Sequence, residues 1–193
     1  MGNALNKISR GGAIQLIKNT NNCRVEIFTG ENRMRALYRI SQIHDIAEKQ
    51  AIARAILETL PEWFGIPEAR EEYILQASAQ VTFGAFHHIG ACEKPVGFLC
   101  LKETGKDTLE LSVMGVLKEC HRKGIGTKLF TAAKNFAVSR GYSFLQVKTV
   151  QMGRYPEYDA TNAFYLSLGF REFEVFPTLW DEWNPCQVYV MSL

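Results

Sequence analysis

A chain of 193 residues that is 47% hydrophobic can bury one sizeable core, and a net charge of +2 is too mild to make a face for nucleic acid. No apolar run approaches the ~20 residues of a membrane span and no charged-then-apolar signal segment opens the chain, so cytoplasm is the expected location. Five cysteines, Cys23, Cys92, Cys100, Cys120 and Cys186, make no C-x-x-C pair and leave an odd one out, which fits a reducing compartment. Residues 1–22 are polar and glycine-bearing and read as a loosely ordered arm, with 23–193 as a single domain. Cys23–Thr29 reads as a first strand, ended by Gly30. From Glu31 to about Thr59 the pattern is helical, in two helices stopped at Leu60-Pro61. Glu62–Pro67 is a loop that offers Trp63 and Phe64, and Glu68–Ala77 is a short helix. Val81–Ile89, Pro95–Leu101 and Thr108–Val116 form a meander of three strands. A long helix then carries Ile125, Leu129, Ala132, Ala133 and Phe136 at helical spacing and closes at Arg140-Gly141. Tyr142–Val150 is a strand, a short helix contains Asn162–Phe170, and strands at Phe170–Phe176 and Gln187–Met191 finish the chain. A mixed sheet covered by helices on both faces buries these elements most economically.

Between the meander and the long helix lies His121-Arg122-Lys123-Gly124-Ile125-Gly126-Thr127. Glycines at a helix start let backbone N–H groups face inward, and the helix N-terminus favours an anion, above all a phosphate. Arg122, Lys123 and Lys128 add full positive charges. The spacing fits neither a Walker loop, because Gly126 is followed by Thr127-Lys128, nor a dinucleotide fingerprint, because Leu129 stands where its third glycine belongs. Taken alone, such a string equally suits an ordinary glycine-softened turn. Cys120 beside His121 makes a poor nucleophile pair, since chain neighbours rarely face each other. His87 and His88 on a strand point to opposite faces, which disfavours a metal site.

The flanks add specificity. Strand, glycine turn, long helix, strand, and a helix bearing Phe164-Tyr165-x-x-x-Gly169-Phe170 is an order that resembles the GCN5-related N-acetyltransferase superfamily, closely over the second half of the chain and in outline over the first. The resemblance implies an α/β fold with a central mixed, twisted sheet of about six to seven strands, helices on both faces and a splayed cofactor wedge. It implies acetyl-coenzyme A as co-substrate and no metal. Arg122, Lys123, Gly124, Ile125, Gly126 and Thr127 would grip the diphosphate, and Met114, Gly115 and Val116 the pantetheine arm. Departures are His121, where Gln or Arg is usual, and Tyr158 and Thr161, where the family often has Asn and a small residue. Asn162 falls one turn too late to count as a cofactor ligand, which leaves Tyr155, Tyr158 and Thr161 as substitutes.

By the same resemblance Tyr165 is the proton donor to the leaving thiolate, with core packing as the competing reading. Glu110 matches the position of a glutamate base. By strand parity it shares a face with Ser112 and Met114, unless a bulge intervenes. Asp181 and Glu182 compete with it: they lie between Trp180 and Trp183, in a segment that borders the acceptor cleft in relatives, where charge and cation–π contact suit a cationic amine. Trp63 and Phe64 would form the opposite wall. The expected partner is an amine, from a small molecule or peptide, with no nucleic acid and no membrane; relatives often dimerise, so a homodimer is compatible. The rival reading is a non-catalytic acyl-coenzyme A sensor or regulatory module.

Overall fold

The computed structural model describes residues 13–19, 22–28, 38–89 and 92–193. Its strands are β1 (Ala13–Asn19), β2 (Asn22–Phe28), β3 (Tyr38–Ile43), β4 (Val81–Ile89), β5 (Cys92–Gly105), β6 (Thr108–Val116), β7 (Phe144–Val150), β8 (Arg171–Phe176) and β9 (Cys186–Ser192). Its helices are α1 (Ile46–Leu57), α2 (Pro61–Phe64), α3 (Pro67–Ala77), α4 (Ile125–Ser139) and α5 (Pro156–Ser167). β1 and β2 pair antiparallel, Ala13 opposite Phe28, and the expected first strand is β2.

The other strands form one seven-stranded sheet in the order β3-β4-β5-β6-β7-β9-β8, and among these neighbours only β6 and β7 run parallel. Helices cover both faces. On one, α4 buries Ile125, Leu129, Phe130, Ala133 and Ala137 against Leu99, Leu101, Leu111, Leu145, Val147 and Tyr189. On the other, α1 and α3 bury Ile52, Ala53, Ile56, Leu57, Ile74 and Ala77 against Phe86, Phe98, Cys100 and Val113. The mixed sheet with helices on both faces is as the sequence implies.

One expected element is corrected. Tyr38–Ile43 is a strand, not helix; it pairs with β4 from Tyr38 opposite His87 to Ile43 opposite Thr82. Helix begins only after Asp45, whose carboxylate accepts from the Glu48 amide at 2.8 Å and so caps α1. The start of the expected helical stretch, residues 31–37, lies outside the described residues, as do Thr29 and Gly30 at the end of the expected first strand. The loop expected at 62–67 holds the four-residue α2, started by Pro61, whose missing N–H costs nothing at that position.

The sheet parts between β6 and β7. They pair only from Thr108 opposite Phe144 to Leu111 opposite Val147. Beyond that point β6 stays with β5 as far as Val116 opposite Gly97, while β7 stays with β9 as far as Val150 opposite Cys186. A bulge falls where the strands part: Leu111 faces Leu101 and Val113 faces Cys100, so Ser112 is an extra residue in β6. The inner edges Ser112–Val116 and Lys148–Val150 thus line a wedge, the splay that the resemblance implies.

Candidate active site

The chain leaves β6 through a turn held from several sides. Leu117 N–H donates to Val96 O at 2.9 Å, and His121 Nε2 lies 2.8 Å from Val116 O. That contact makes the ring nitrogen a donor and holds the imidazole away from Cys120, so no Cys120–His121 pair forms. Cys120 is buried, and desolvation raises its thiol pKa, the opposite of what a nucleophile needs. Arg122, at φ 60°, and Gly124, at φ 74°, occupy the left-handed region and swing the chain into α4.

Gly124 is the N-cap of α4, and no side chain caps the first turn. The amides of Ile125, Gly126 and Thr127 come before the first intrahelical bond, Lys128 N–H to Gly124 O at 3.0 Å. Gly126 sits in a tight place: a Cβ there would lie 3.0 Å from Phe164 Cζ and 3.2 Å from Met114 Cε, so those side chains would have to give by a few tenths of an ångström. Ile125 is buried in the core and can offer only its backbone, whereas Arg122 and Lys123 are exposed beside the turn. Open amides, a glycine floor and two exposed cations at the positive end of a 15-residue helix suit a diphosphate. Met114 lies against Gly126 from the wedge side. Gly115 faces the other way, where a Cβ would meet Ile56 Cγ2 at 2.8 Å, so its glycine is required by the packing of α1 on β6.

α2 bridges the two sides of the wedge mouth. Trp63 Nε1 donates to Thr161 Oγ1 at 3.2 Å, Tyr158 hydroxyl donates to Trp63 O at 3.0 Å, and the Trp63 and His121 rings meet edge-on at 6.3 Å. Lys118 and Glu62 form an ion pair beside it. Tyr158 and Thr161 therefore spend their hydroxyls on Trp63, and burial pushes the Tyr158 phenol up to about 12. Asn162 is fully buried. Its Nδ2 donates to Val150 O at 3.0 Å and Tyr158 O at 2.6 Å, while Oδ1 accepts from Tyr189 hydroxyl at 2.7 Å. It clamps α5 to β7 and β9, a structural job. Tyr189→Phe leaves that Oδ1 without its partner and is expected to cost about 1–3 kcal/mol, seen as a lower Tm, while coenzyme A affinity measured by calorimetry holds.

Glu110 lies opposite Gln146, one pair before the strands part. The bulge at Ser112 overturns simple parity: Glu110 shares its face with Val113 and Gly115, on the α1–α3 side, and not with Met114. It is 5% exposed; Oε2 accepts from Gln146 Nε2 at 2.9 Å and Lys148 Nζ at 2.5 Å, and Oε1 lies 3.9 Å from Lys102 Nζ. Tyr73 on α3 and Cys186 on β9 share its electrostatic surroundings, and burial raises both of their pKa values, Cys186 to about 11. Tyr73, Lys148 and Cys186 went unread in the sequence because only the splay and the strand order bring them to Glu110.

Tyr165 is 8% exposed, its ring tilted against Phe164 and edge-on to Phe170 at 5.9 Å. Burial pushes its phenol pKa well up, with Tyr158 and Tyr73 adding to the effect. No hydrogen bond from a described residue reaches its hydroxyl. Asp181 serves its own loop: its carboxylate accepts from the amides of Trp183 and Asn184 and from Asn184 Nδ2, which holds its pKa below the usual range. Glu182 is exposed, as are Trp180 at 44% and Trp183 at 76%, so these tryptophans do not desolvate the acids between them. Among the described residues no cluster of three His, Cys, Asp or Glu could hold a metal, and no helix is long and apolar enough to cross a membrane.

A family model described as an acetyltransferase (GNAT) domain matches residues 78–172. The chain belongs to the GCN5-related N-acetyltransferase superfamily. Among solved structures, an acetyltransferase of the GNAT family from Desulfovibrio desulfuricans superposes with a TM-score of 0.64 at 16% identity, over 80% of this chain and 98% of that one. An IAA acetyltransferase from Bacillus cereus gives 0.60 at 23% identity, covering 81% and 99%. An acetyltransferase from Salmonella typhimurium, solved with its cofactor acetyl-CoA, gives 0.60 at 17% identity, covering 81% and 94%. The search of curated proteins gave no match.

Proposed function

We propose that this protein transfers an acetyl group from acetyl-coenzyme A to a primary amine of a small molecule or peptide, by direct attack with both substrates bound. The observation that carries the reading is a strand wedge that ends on the uncapped N-terminus of α4. Acetyl-coenzyme A supplies the activated acyl group. Arg122, Lys123 and the amides of Gly124–Thr127 would hold its diphosphate, and the backbone of Met114, Gly115 and Val116, on the inner edge of β6, its pantetheine arm. The structural neighbour with bound acetyl-CoA supports this cofactor.

When the amine nitrogen bonds to the acyl carbon and the C–S bond breaks, one proton leaves the nitrogen and one is taken up by the sulfur. Glu110 accepts the first. It lies four residues before Met114, about 13 Å along an extended strand, so water carries the proton between. Tyr165 gives the second: its raised pKa keeps the phenol protonated at neutral pH. The same rise makes it a reluctant acid, so Tyr165→Phe is expected to lower kcat about tenfold, the low end of a one- to two-log range. Its hydroxyl has no described partner, so Tm should stay put, and an unchanged kcat removes the role.

A second reading has its own support. Glu110 is already engaged by Lys148, and Tyr165 is packed in the core, which would suit an acyl-coenzyme A sensor with no turnover. Incubation with acetyl-coenzyme A and a panel of amines, read by free thiol release, separates the two. Thiol released with an amine supports transfer; coenzyme A binding with no release supports the sensor.

A further inference from the structure

Lys148 is an amine that the acetyl-transfer reading leaves unused, and it stands at the closed end of the wedge. β6 and β7 last pair at Leu111 opposite Val147, so Lys148 is the first residue of β7 beyond the parting. Leu145 and Val147 turn into the core beneath α4, which puts Lys148 on the other face of β7 with Gln146, toward Glu110. There its Nζ donates to Glu110 Oε2 at 2.5 Å, while 28% of its side chain stays exposed.

Two lysines share that carboxylate, and the strands separate them. Lys102 lies 3.9 Å from Glu110 Oε1 and is the more exposed, at 44%, but it belongs to β5, across β6 from the wedge. Lys148 belongs to the wedge's own edge. A diphosphate on the turn before α4 and a pantetheine arm running from Val116 to Met114 would aim the thioester down the wedge, toward the Leu111–Val147 pair. Continued in register, Lys148 stands level with Ser112, two residues or about 7 Å along the strand from Met114. Its ammonium rides on a flexible four-carbon stem. A foreign amine must send its proton to Glu110 through water, whereas the Lys148 ammonium already bonds that carboxylate.

We propose that the protein acetylates its own Lys148 from bound acetyl-coenzyme A when no acceptor occupies the site. The inference rests on the acetyl-transfer reading above. Glu110 takes one proton from the ammonium, which frees the nitrogen lone pair. That pair forms the N–C bond to the acyl carbon, the C–S bond breaks, and a second nitrogen proton passes to the sulfur. Coenzyme A leaves as the thiol, the proton on Glu110 goes to water, and Lys148 is left as an uncharged amide. The event happens once per chain, because the amide nitrogen is no longer a nucleophile, and it removes the cation from beside Glu110.

The test is mass spectrometry of peptides from the full chain after incubation with acetyl-coenzyme A and no amine. Lys148 should gain an acetyl group at least about tenfold faster than the more exposed Lys102, with free thiol appearing in equal amount. A small acetyl thioester without the diphosphate reaches lysines by exposure alone, and with it the order should reverse in favour of Lys102. Glu110→Gln should slow the reaction of Lys148 with acetyl-coenzyme A about tenfold or more, with coenzyme A affinity and Tm as controls. Lys148 left unmodified, or modified no faster than Lys102, overturns the inference; transfer to amines of the panel then leaves the acetyl-transfer reading standing. Equal preference for Lys148 with the small thioester overturns it too, since the cofactor site then contributes nothing. Acetyl on Lys148 with no amine acetylated upholds it and removes the sensor reading. Absence of coenzyme A binding strikes the inference and the cofactor site together.

Discussion

Glu110→Gln is expected to lower kcat/KM for the amine about 100-fold and to erase the ascending acid limb of the pH–rate profile. The substitution is nearly isosteric, and the Gln146 contact can persist because an amide oxygen accepts as a carboxylate does. What is lost is the group that takes the proton, together with the charge facing Lys148 and Lys102. Lys148 keeps access to water, with 28% of its side chain exposed, so the fold should tolerate losing the pair better than a sealed interior would. Lys148→Met separates the proton acceptor from its neighbour. If Glu110 is the base, this variant keeps the acid limb that Glu110→Gln loses. A profile unaltered in Glu110→Gln discards the residue as base.

The wedge and its turn were legible in the sequence because both are local. β6 is one run of strand formers from Thr108 to Val116, and Gly124 and Gly126 carry their meaning within the five-residue run Arg122–Gly126. Tyr38–Ile43 was not legible. As an edge strand it has one partner, β4, and its residues between the buried Tyr38 and Ile43 are half-exposed or exposed, a pattern also compatible with a helix entry. Which face Glu110 occupies depends on a single inserted residue, Ser112, and a bulge is set by pairing with β5, which counting along β6 cannot reveal.

Aromatic residues misled for a related reason. Trp180 and Trp183 bracket two acids in the sequence, yet Asp181 caps its own loop and the tryptophans face outward. Trp63, by contrast, is half-buried and bonds Thr161 on α5, since Pro61 and Gly65 confine α2 to one turn between α1 and α5. The residues that surround Glu110 come from four elements: Lys102 from β5, Gln146 and Lys148 from β7, Tyr73 from α3 and Cys186 from β9 counting the paired strand β7 once. No spacing in the chain announces such a set. It exists because β7 joins β6 in parallel and β9 joins β7 on its far side.

Gly126→Val should weaken coenzyme A binding about 100-fold, the largest loss expected from any change at the turn. The Cβ already meets Phe164 Cζ at 3.0 Å and Met114 Cε at 3.2 Å, so the branched methyl groups must either push these side chains or stand over the amides of the first turn. Either outcome closes the floor on which the diphosphate would rest, and neither touches the charge of Arg122 or Lys123. Gly124→Ala tests a different cost. A Cβ there has open space, but φ of 74° is penalised for any L residue by about 1–2 kcal/mol, so the loop loses its poise and affinity falls roughly tenfold. Lys123→Ala removes an exposed charge that salt already screens, and should cost no more than about threefold. Calorimetric titration with coenzyme A ranks the three, and the order matters more than any single value. If Lys123→Ala proves the most damaging, the ligand is held by side-chain charge and the backbone site is not its seat; if Gly126→Val binds within twofold of wild type, the diphosphate lies elsewhere.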